Sequence, residues 1–484
     1  MKDILSDEIE VPVLIAGMGP AGLIAAITLA RNGVPTLIVD RRTAPSTHPR
    51  ATVVSTWAME LLRRWGLGGE VRARALDVEW LGLVCETLAD PGEPFPVGYP
   101  TREQSAVLSP EGPACIPQDE LEPILARHLA SLQAAQVSWG TELVGVDAEP
   151  ESPTVTLRDV RTGRTRIVQA RYVVAADGAR SAARRDLGIA MPGPDGLAEA
   201  ISVLFRAPLW PMLGDRRHVI YSPTVFDRPG AFVPAGAPDR WVHGIHWDPE
   251  SERQEDWTPD RLVARIRAGA GGPDLPVALE GMRSFSFAAQ LAERFREGSV
   301  FLAGDAAHRV SPRGGTGMNT AIRDGFDIGW RLAWVLRGWS GTDLLDGYEA
   351  ERRPVAAHNV ERSADPNGSV RDPLGELQVD LGGRMAHVWL RDGRSSLDLV
   401  GDGLTLVCGP RAAPPRERAD GPPVARHDVD VLAARALGIG EDGWLLARPD
   451  GVSVWSSAQP CLTRNRFVTD FPAPALLRGT ARSL

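Results

Sequence analysis

The sequence predicts an α/β protein: a doubly wound sheet, an antiparallel sheet inserted into it, and a small α/β unit at the C-terminal end. Three observations carry that prediction. A strand, a glycine turn, a helix and a second strand follow one another between Val11 and Asp40. Short β-like runs crowd the stretch from 200 to 290 with little helix between them, and new strands begin after about residue 380. Strand–helix–strand units give parallel sheets, whereas strands separated only by turns pair antiparallel.

The opening unit is the clearest. Val11 to Ala16 is an apolar run, Gly17-Met18-Gly19-Pro20-Ala21-Gly22 follows, Leu23 to Arg31 is rich in Ala and Leu, and Asn32-Gly33 supplies a stop. Val34 to Val39 is β-branched and ends on Asp40, eighteen residues after Gly22. Gly17 permits the tight turn, Gly19 lets a pyrophosphate approach the backbone, and Gly22 lets helix and strand pack closely. The helix opens on Pro20 and Ala21, and its free N–H groups, the first of them on Ala21, favour phosphate. A carboxylate at Asp40 suits a ribose hydroxyl, and FAD and NAD fit equally at this point.

Further along, Asp119 to Ala135 reads as a helix with Gln118 at its start, and Val137 to Val146 as a strand. Ile167 to Val174 leads into Asp177-Gly178-Ala179-Arg180-Ser181, and Val300 to Leu302 into Gly304-Asp305-Ala306-Ala307-His308. A long helix is expected from Asn319 to Arg337. The expected domains are a discontinuous Rossmann-like nucleotide domain (1–80, 110–190, 285–375), a sheet domain (81–109, 191–284) and a C-terminal unit (376–484).

The 484 residues carry a net charge of −9, with 43% hydrophobic and 24% charged residues, which excludes a broad nucleic-acid footprint. The four cysteines, Cys85, Cys115, Cys408 and Cys461, form no CxxC pair, and no metal site is expected. Met1 to Glu10 lacks the features of a signal peptide, and no apolar run is long enough to span a bilayer, so the expected location is the cytoplasm.

Three motifs in order, around Gly17, Asp177 and Gly304, give the chain its resemblance to the para-hydroxybenzoate hydroxylase-like FAD monooxygenases. Within that family it is most similar to bacterial aromatic polyketide hydroxylases and rifampicin monooxygenase. The resemblance implies FAD, with NADPH or NADH and O2 as co-substrates. Oxygen would be transferred from a flavin C4a-hydroperoxide to an aromatic, multi-ring phenolic substrate in a monomer or homodimer. It implies cofactor contacts at the Gly17, Gly19, Gly22 loop, Asp40, Arg41, Arg50, Gln118, Asp177, Gly178, Gly304 and Asp305. It extends them to Pro312, Gly314, Gly315, Gly317, Met318 and Asn319, the glycine segment lying beside the flavin ring. Arg50 and Pro312 are also implied at the reacting end. The tail resembles a thioredoxin-like domain without a redox dithiol. One departure stands out: Asp324-Gly325-Phe326-Asp327-Ile328-Gly329-Trp330-Arg331 replaces the commoner Asp-Ala-x-Asn-Leu-x-Trp-Lys.

The inserted sheet is expected to roof the pocket. In Trp241-Val242-His243-Gly244-Ile245-His246-Trp247, period two puts Trp241, His243, Ile245 and Trp247 on one face and His246 on the other. Tyr221 and Trp241 are candidates to stack on a flat substrate. His243 is a candidate to orient or deprotonate a phenol, or else a satisfied core histidine. Baeyer–Villiger oxygenation of a ketone on the same scaffold, an FAD-dependent reductase or dehydrogenase, and a non-catalytic flavin-binding protein remain open on the sequence alone.

Overall fold

The computed structural model describes residues 9–149, 152–414 and 421–457; Cys461 lies outside them. Three helices pack on the sheets and set their ends in place: α1 (Pro20–Arg31), α2 (Pro259–Ala270) and α3 (Gly317–Leu336).

The first sheet has eight strands and is built around β1 (Ile9–Ala16), β2 (Thr36–Asp40) and β3 (Thr165–Ala175). β1 lies between the other two, parallel to both, with Leu14 opposite Leu37 and Val173. The short strand Val300–Leu302 runs parallel beside β3. Val13, Leu14, Ile15, Ile38, Val173, Val174 and Phe301 are inaccessible to solvent, as expected of a parallel sheet covered on both faces. All three motifs follow the C-terminal ends of neighbouring strands of this sheet, the position where open α/β sheets bind ligands.

α1 and α3 cross in close contact, and the departure noted at Asp324–Arg331 explains how. A Cβ at Gly325 would stand 2.1 Å from the Ala21 carbonyl oxygen, and one at Gly329 would stand 2.8 Å from the Thr28 Cβ. The two glycines, four apart on one face, let the helix backbones approach. Asp327 and Arg331, on the next turn, form a buried ion pair at 3.0 Å that extends to Glu351, Arg448 and Asp450.

The second sheet has seven strands. Its centre is β4 (Glu199–Arg206), β5 (Gly230–Pro234), β6 (Arg240–Trp247) and β7 (Ala278–Ser286), all antiparallel, in the order β7-β4-β6-β5. His218–Pro223 follows β5 and runs parallel to Glu79–Cys85. The third sheet, in the C-terminal unit, has four strands: Leu404–Cys408, Val424–Asp428, Trp444–Ala447 and Ser453–Ser456. Cys85, Cys115 and Cys408 are free and buried. No helix among the described residues is long and apolar enough to cross a membrane.

Two local expectations change. The helix begins at Gln118 but stops at Ala130, and Ala135–Trp139 is a strand alongside β2. The expected strand from Val137 to Val146 is two strands, because Gly140 turns the chain at φ +69°. Only glycine enters that region without strain.

Candidate active site

The first motif is rigid where it is packed and open where a ligand would lie. Gly17 has φ +106°, and a Cβ there would sit 2.1 Å from the Ala176 carbonyl oxygen. A Cβ at Gly22 would sit 1.8 Å from the Gly17 carbonyl oxygen. Gly19, by contrast, would meet nothing within 4 Å. It precedes Pro20, and no side chain caps α1, so its first N–H groups stay available. Ala21 packs toward Gly304 of the third motif.

At the end of β2, Asp40 accepts hydrogen bonds from the Met18 amide and the Arg42 amide, both at 2.7 Å. Arg42 also pairs with Asp40 at 3.0 Å and with Glu122 at 3.1 Å, and donates to the Met18 carbonyl. Arg41 is 67% exposed, its nearest carboxylate being Glu142 at 3.9 Å. The arginine held by ion pairs at this end of the sheet is therefore Arg42, while Arg41 stays mostly exposed beside it.

Asp177 follows β3. Its Oδ2 accepts from the Ala182 amide at 2.7 Å, while its Oδ1 is shielded from solvent with no partner among the described residues. Burial raises this carboxyl above its ordinary value. Gly178 beside it has φ +86° and open space where a Cβ would go. Asp305 is exposed and makes no hydrogen bond among the described residues. An orphaned carboxylate oxygen, a free carboxylate and two glycines facing open space line the ends of adjacent strands. That donor and acceptor set fits FAD, with Gly19 at the pyrophosphate and the two carboxylates toward hydroxyls.

The third motif is held from beneath. Asp324 on α3 accepts from the Gly304 amide (3.1 Å), from His308 Nε2 (2.6 Å) and from Arg352 Nε (2.9 Å). Burial would raise this carboxyl, but His308 and Arg352 more than offset it and hold it below the usual range. Beyond it, Pro312 is exposed and Gly314 and Gly315 have φ +78° and +64°. The Gly314 amide donates to Ser369 Oγ at 3.0 Å, and Tyr99 OH donates to the Gly315 carbonyl at 3.0 Å. A Cβ at Gly314 would collide with the Arg362 guanidinium, and one at Gly317 with Val310.

Three expected contacts face the protein itself. Asn319 accepts from the Ser55 amide at 2.8 Å and donates to the Val53 carbonyl and Tyr99 OH, both at 3.1 Å. Its amide ties the glycine segment to the segment after Arg50. Met318 is buried. Gln118 donates to Glu122 at 2.7 Å, while its backbone amide donates to the Ala51 carbonyl. Gln118 and Asn319 thus fix the Arg50 segment, and Arg50 itself is exposed.

The second sheet corrects the expected substrate residues. Tyr221, Trp241 and His243 are fully buried. They share a face with Val203, Phe205, Phe232 and Ile245, and α2 packs on that face through Leu262 and Ile266. Tyr221 OH donates to the Arg216 carbonyl at 2.7 Å, and Trp241 packs on Trp210 at 4.6 Å. His243 stacks on Phe232 at 4.1 Å and donates from Nδ1 to the Ala231 carbonyl. Burial pushes it down to about 3, so it stays neutral in the core. Period two holds along β6, but the apolar face is the one α2 covers.

The other face is half-open and looks toward the motifs. Its cross-strand rows are His246–Ala200–Phe285, then Ala231–Gly244–Ser202–Arg283, then Val233–Val242–Leu204–Gly281. His48, two residues before Arg50, reaches it from the nucleotide domain, its Nε2 3.3 Å from Ser202 Oγ. Arg240 anchors one corner, donating to Asp119 at 2.7 Å and to the Thr47 carbonyl. At the opposite corner the Arg313 guanidinium lies 5.7 Å from the Phe287 ring. His48, two residues before Arg50, and Arg313, next to Pro312, thus approach this face at separate points. His48, Tyr99, Arg362 and Arg352 are residues near the motifs that the sequence alone does not single out, and of these only His48, two residues before Arg50, carries a local signal.

The model of an FAD binding domain family matches residues 10–363. The chain is 34% identical to a tetracenomycin A2 monooxygenase-dioxygenase of Streptomyces glaucescens, covering 92% of this chain and 93% of that protein. It is 36% identical to an aklavinone 12-hydroxylase of Streptomyces peucetius, covering 86% and 94%. Among solved structures, aklavinone-11 hydroxylase with FAD and aklavinone superposes with a TM-score of 0.82 at 30% identity over 96% of this chain and 97% of that one. The flavin-dependent monooxygenase PieE with FAD and substrate gives 0.85 at 26% identity over 94% and 97%. The chain belongs to the FAD-binding family of flavin-dependent monooxygenases.

Proposed function

We propose that this enzyme hydroxylates a planar, multi-ring phenol of the aromatic polyketide class. The observation that carries the reading is the half-open face of β4 and β6. Ser202, Gly244 and Ala231 make a row of small side chains there, with His48 from the Arg50 segment reaching Ser202 and Arg313 from the Pro312–Gly315 segment lying by Phe287. A flat floor of small side chains suits an extended ring system better than a single phenol, and the similarity to hydroxylases of tetracenomycin A2 and aklavinone supports the same substrate class.

When bound, FAD accepts a hydride from NADPH or NADH and activates O2. The protein's residues supply position and electrostatics. The N–H groups at the start of α3 would face negative charge developing beside them. Asp324, His308 and Arg352 hold Gly304 in place, so Asp305 is presented at a fixed point. Pro312 and Arg50 flank the reacting end. Closing the floor against the segment from Pro312 excludes water from the oxygen transfer.

In this reading residues 1–80, 110–190 and 285–375 bind FAD, 81–109 and 191–284 form the substrate domain, and 376–484 form a thioredoxin-like domain. The four C-terminal strands support the last assignment: the first two are parallel, and the third and fourth follow antiparallel, in the order second, first, third, fourth. The cytoplasm, which supplies reduced nicotinamide, is the place this reading gives the enzyme.

The test is turnover of the FAD-loaded enzyme with NADPH or NADH, isotopically labelled O2 and a panel of polycyclic phenols that includes aklavinone. A product bearing one labelled oxygen on a ring carbon is expected. A labelled lactone would replace hydroxylation by insertion beside a ketone. Nicotinamide oxidation without labelled product would make the protein a reductase or oxidase.

A further inference from the structure

His246 lies on the half-open face, in one cross-strand row with Ala200 and Phe285. Its ring meets Phe287 edge-on at 5.3 Å, and Phe287 stacks on Phe285 at 5.6 Å. Phe285 is 37% exposed although it is a large apolar side chain on a sheet. The Arg313 guanidinium, from the Pro312–Gly315 segment, lies 5.7 Å from the Phe287 ring. The histidine therefore stands where an aromatic wall meets the segment beside the flavin position.

Its polar atoms are uncommitted. Neither ring nitrogen of His246 hydrogen-bonds to another described residue, whereas His243, on the covered face, spends Nδ1 on the Ala231 carbonyl. Burial and the nearby Arg313 hold His246 below its ordinary value. A neutral imidazole keeps one donor and one acceptor, which is what a phenolic hydroxyl needs. The neighbouring rings offer stacking surface but no hydrogen bond, and Arg313 can only donate, so a group that both donates and accepts is offered at this corner by His246.

We infer that His246 hydrogen-bonds a phenolic hydroxyl of the substrate and so selects which ring edge is presented to the segment from Pro312 to Gly315. The inference rests on the reading of the enzyme as an aromatic hydroxylase. Removing the imidazole should weaken hydroxylated ligands selectively, because the stacking contacts of Phe285 and Phe287 remain.

The experiment measures equilibrium binding of quinizarin and of anthraquinone, which lacks the hydroxyls, to FAD-loaded full-length protein. His246→Leu and His246→Gln are compared with the unaltered chain, after FAD content is confirmed for each. His246→Leu should weaken quinizarin about tenfold while leaving anthraquinone within about twofold, and His246→Gln, which keeps a donor and an acceptor, should recover most of the loss. With a substrate that turns over, His246→Leu should also divert nicotinamide oxidation toward hydrogen peroxide and change the ratio of product isomers. Equal weakening of both ligands, no weakening of either, or loss of FAD from both variants would overturn the assignment. If the unaltered protein distinguishes the two ligands in no way, only the role of His246 falls. If it binds neither, the aromatic-substrate reading falls with it.

Discussion

The sheet around β1 and the sheet around β6 meet their ligands in different ways. The first is buried on both faces and offers only strand ends, so recognition there is a matter of backbone: glycine turns, free N–H groups and two carboxylates. The second is covered by α2 on one face and half-open on the other, so recognition there belongs to side chains. Backbone sites tolerate almost no added atoms, whereas a sheet face is graded. Substitutions in the two regions should therefore fail differently.

The largest effect is expected within the first glycine loop. Gly22→Val places atoms inside the van der Waals radius of the Gly17 carbonyl and should cost about 3 kcal/mol or more, read as loss of folded, FAD-bearing protein on thermal unfolding. Gly19→Val, directed into open space, should keep the fold and lose FAD. Equal outcomes at the two positions would break the distinction between packing and ligand-facing glycines. Next is Asp324→Ala, which strands Arg352 and His308 in the core; about 3–5 kcal/mol of stability should be lost, with FAD retention falling in parallel.

A smaller effect tests the covered face of the second sheet. His243 titrates near 3 in the folded protein against an ordinary 6.5, so below 6.5 the unfolded chain takes up a proton that the folded one does not. Stability should fall as pH drops from 6.5 toward 3, by about 2 kcal/mol from this residue at pH 5. His243→Phe should flatten denaturation midpoints across that window without changing affinity for an aromatic ligand. An unchanged slope would remove His243 from the core. The smallest effect on stability belongs to Arg41→Ala, within about 0.5 kcal/mol because the side chain is mostly exposed, with its FAD content read alongside. Arg42→Ala should lower both.

The same contrast explains what could be read in the sequence. Gly17, Gly19 and Gly22 are legible because each glycine answers a local backbone demand that no other residue meets. The alternation of Trp241 to Trp247 is equally legible, but it says only that two faces exist. Which one α2 covers depends on Leu262 and Ile266, distant in sequence, and the aromatic residues belong to the covered side. Asn319 and Gln118 look like ligand contacts in a motif, yet their amides bind Ser55, Val53 and Glu122 once the chain folds. The long-range partners Tyr99 and Arg362 have no local pattern; nothing within a few residues of Tyr99 marks its bond to Gly315.

The central claim is that substrate lies on the floor of the half-open face, and Gly244 tests it most directly. A Cβ there would meet no protein atom closer than the Ala231 carbonyl oxygen at 3.9 Å, so Gly244→Leu starts its side chain in free space on this face. Binding of quinizarin to the FAD-loaded variant, followed through the flavin absorbance, should weaken at least about tenfold while FAD content and thermal stability stay as before. Undiminished affinity in that variant would contradict the placement and move the substrate to another face of the molecule.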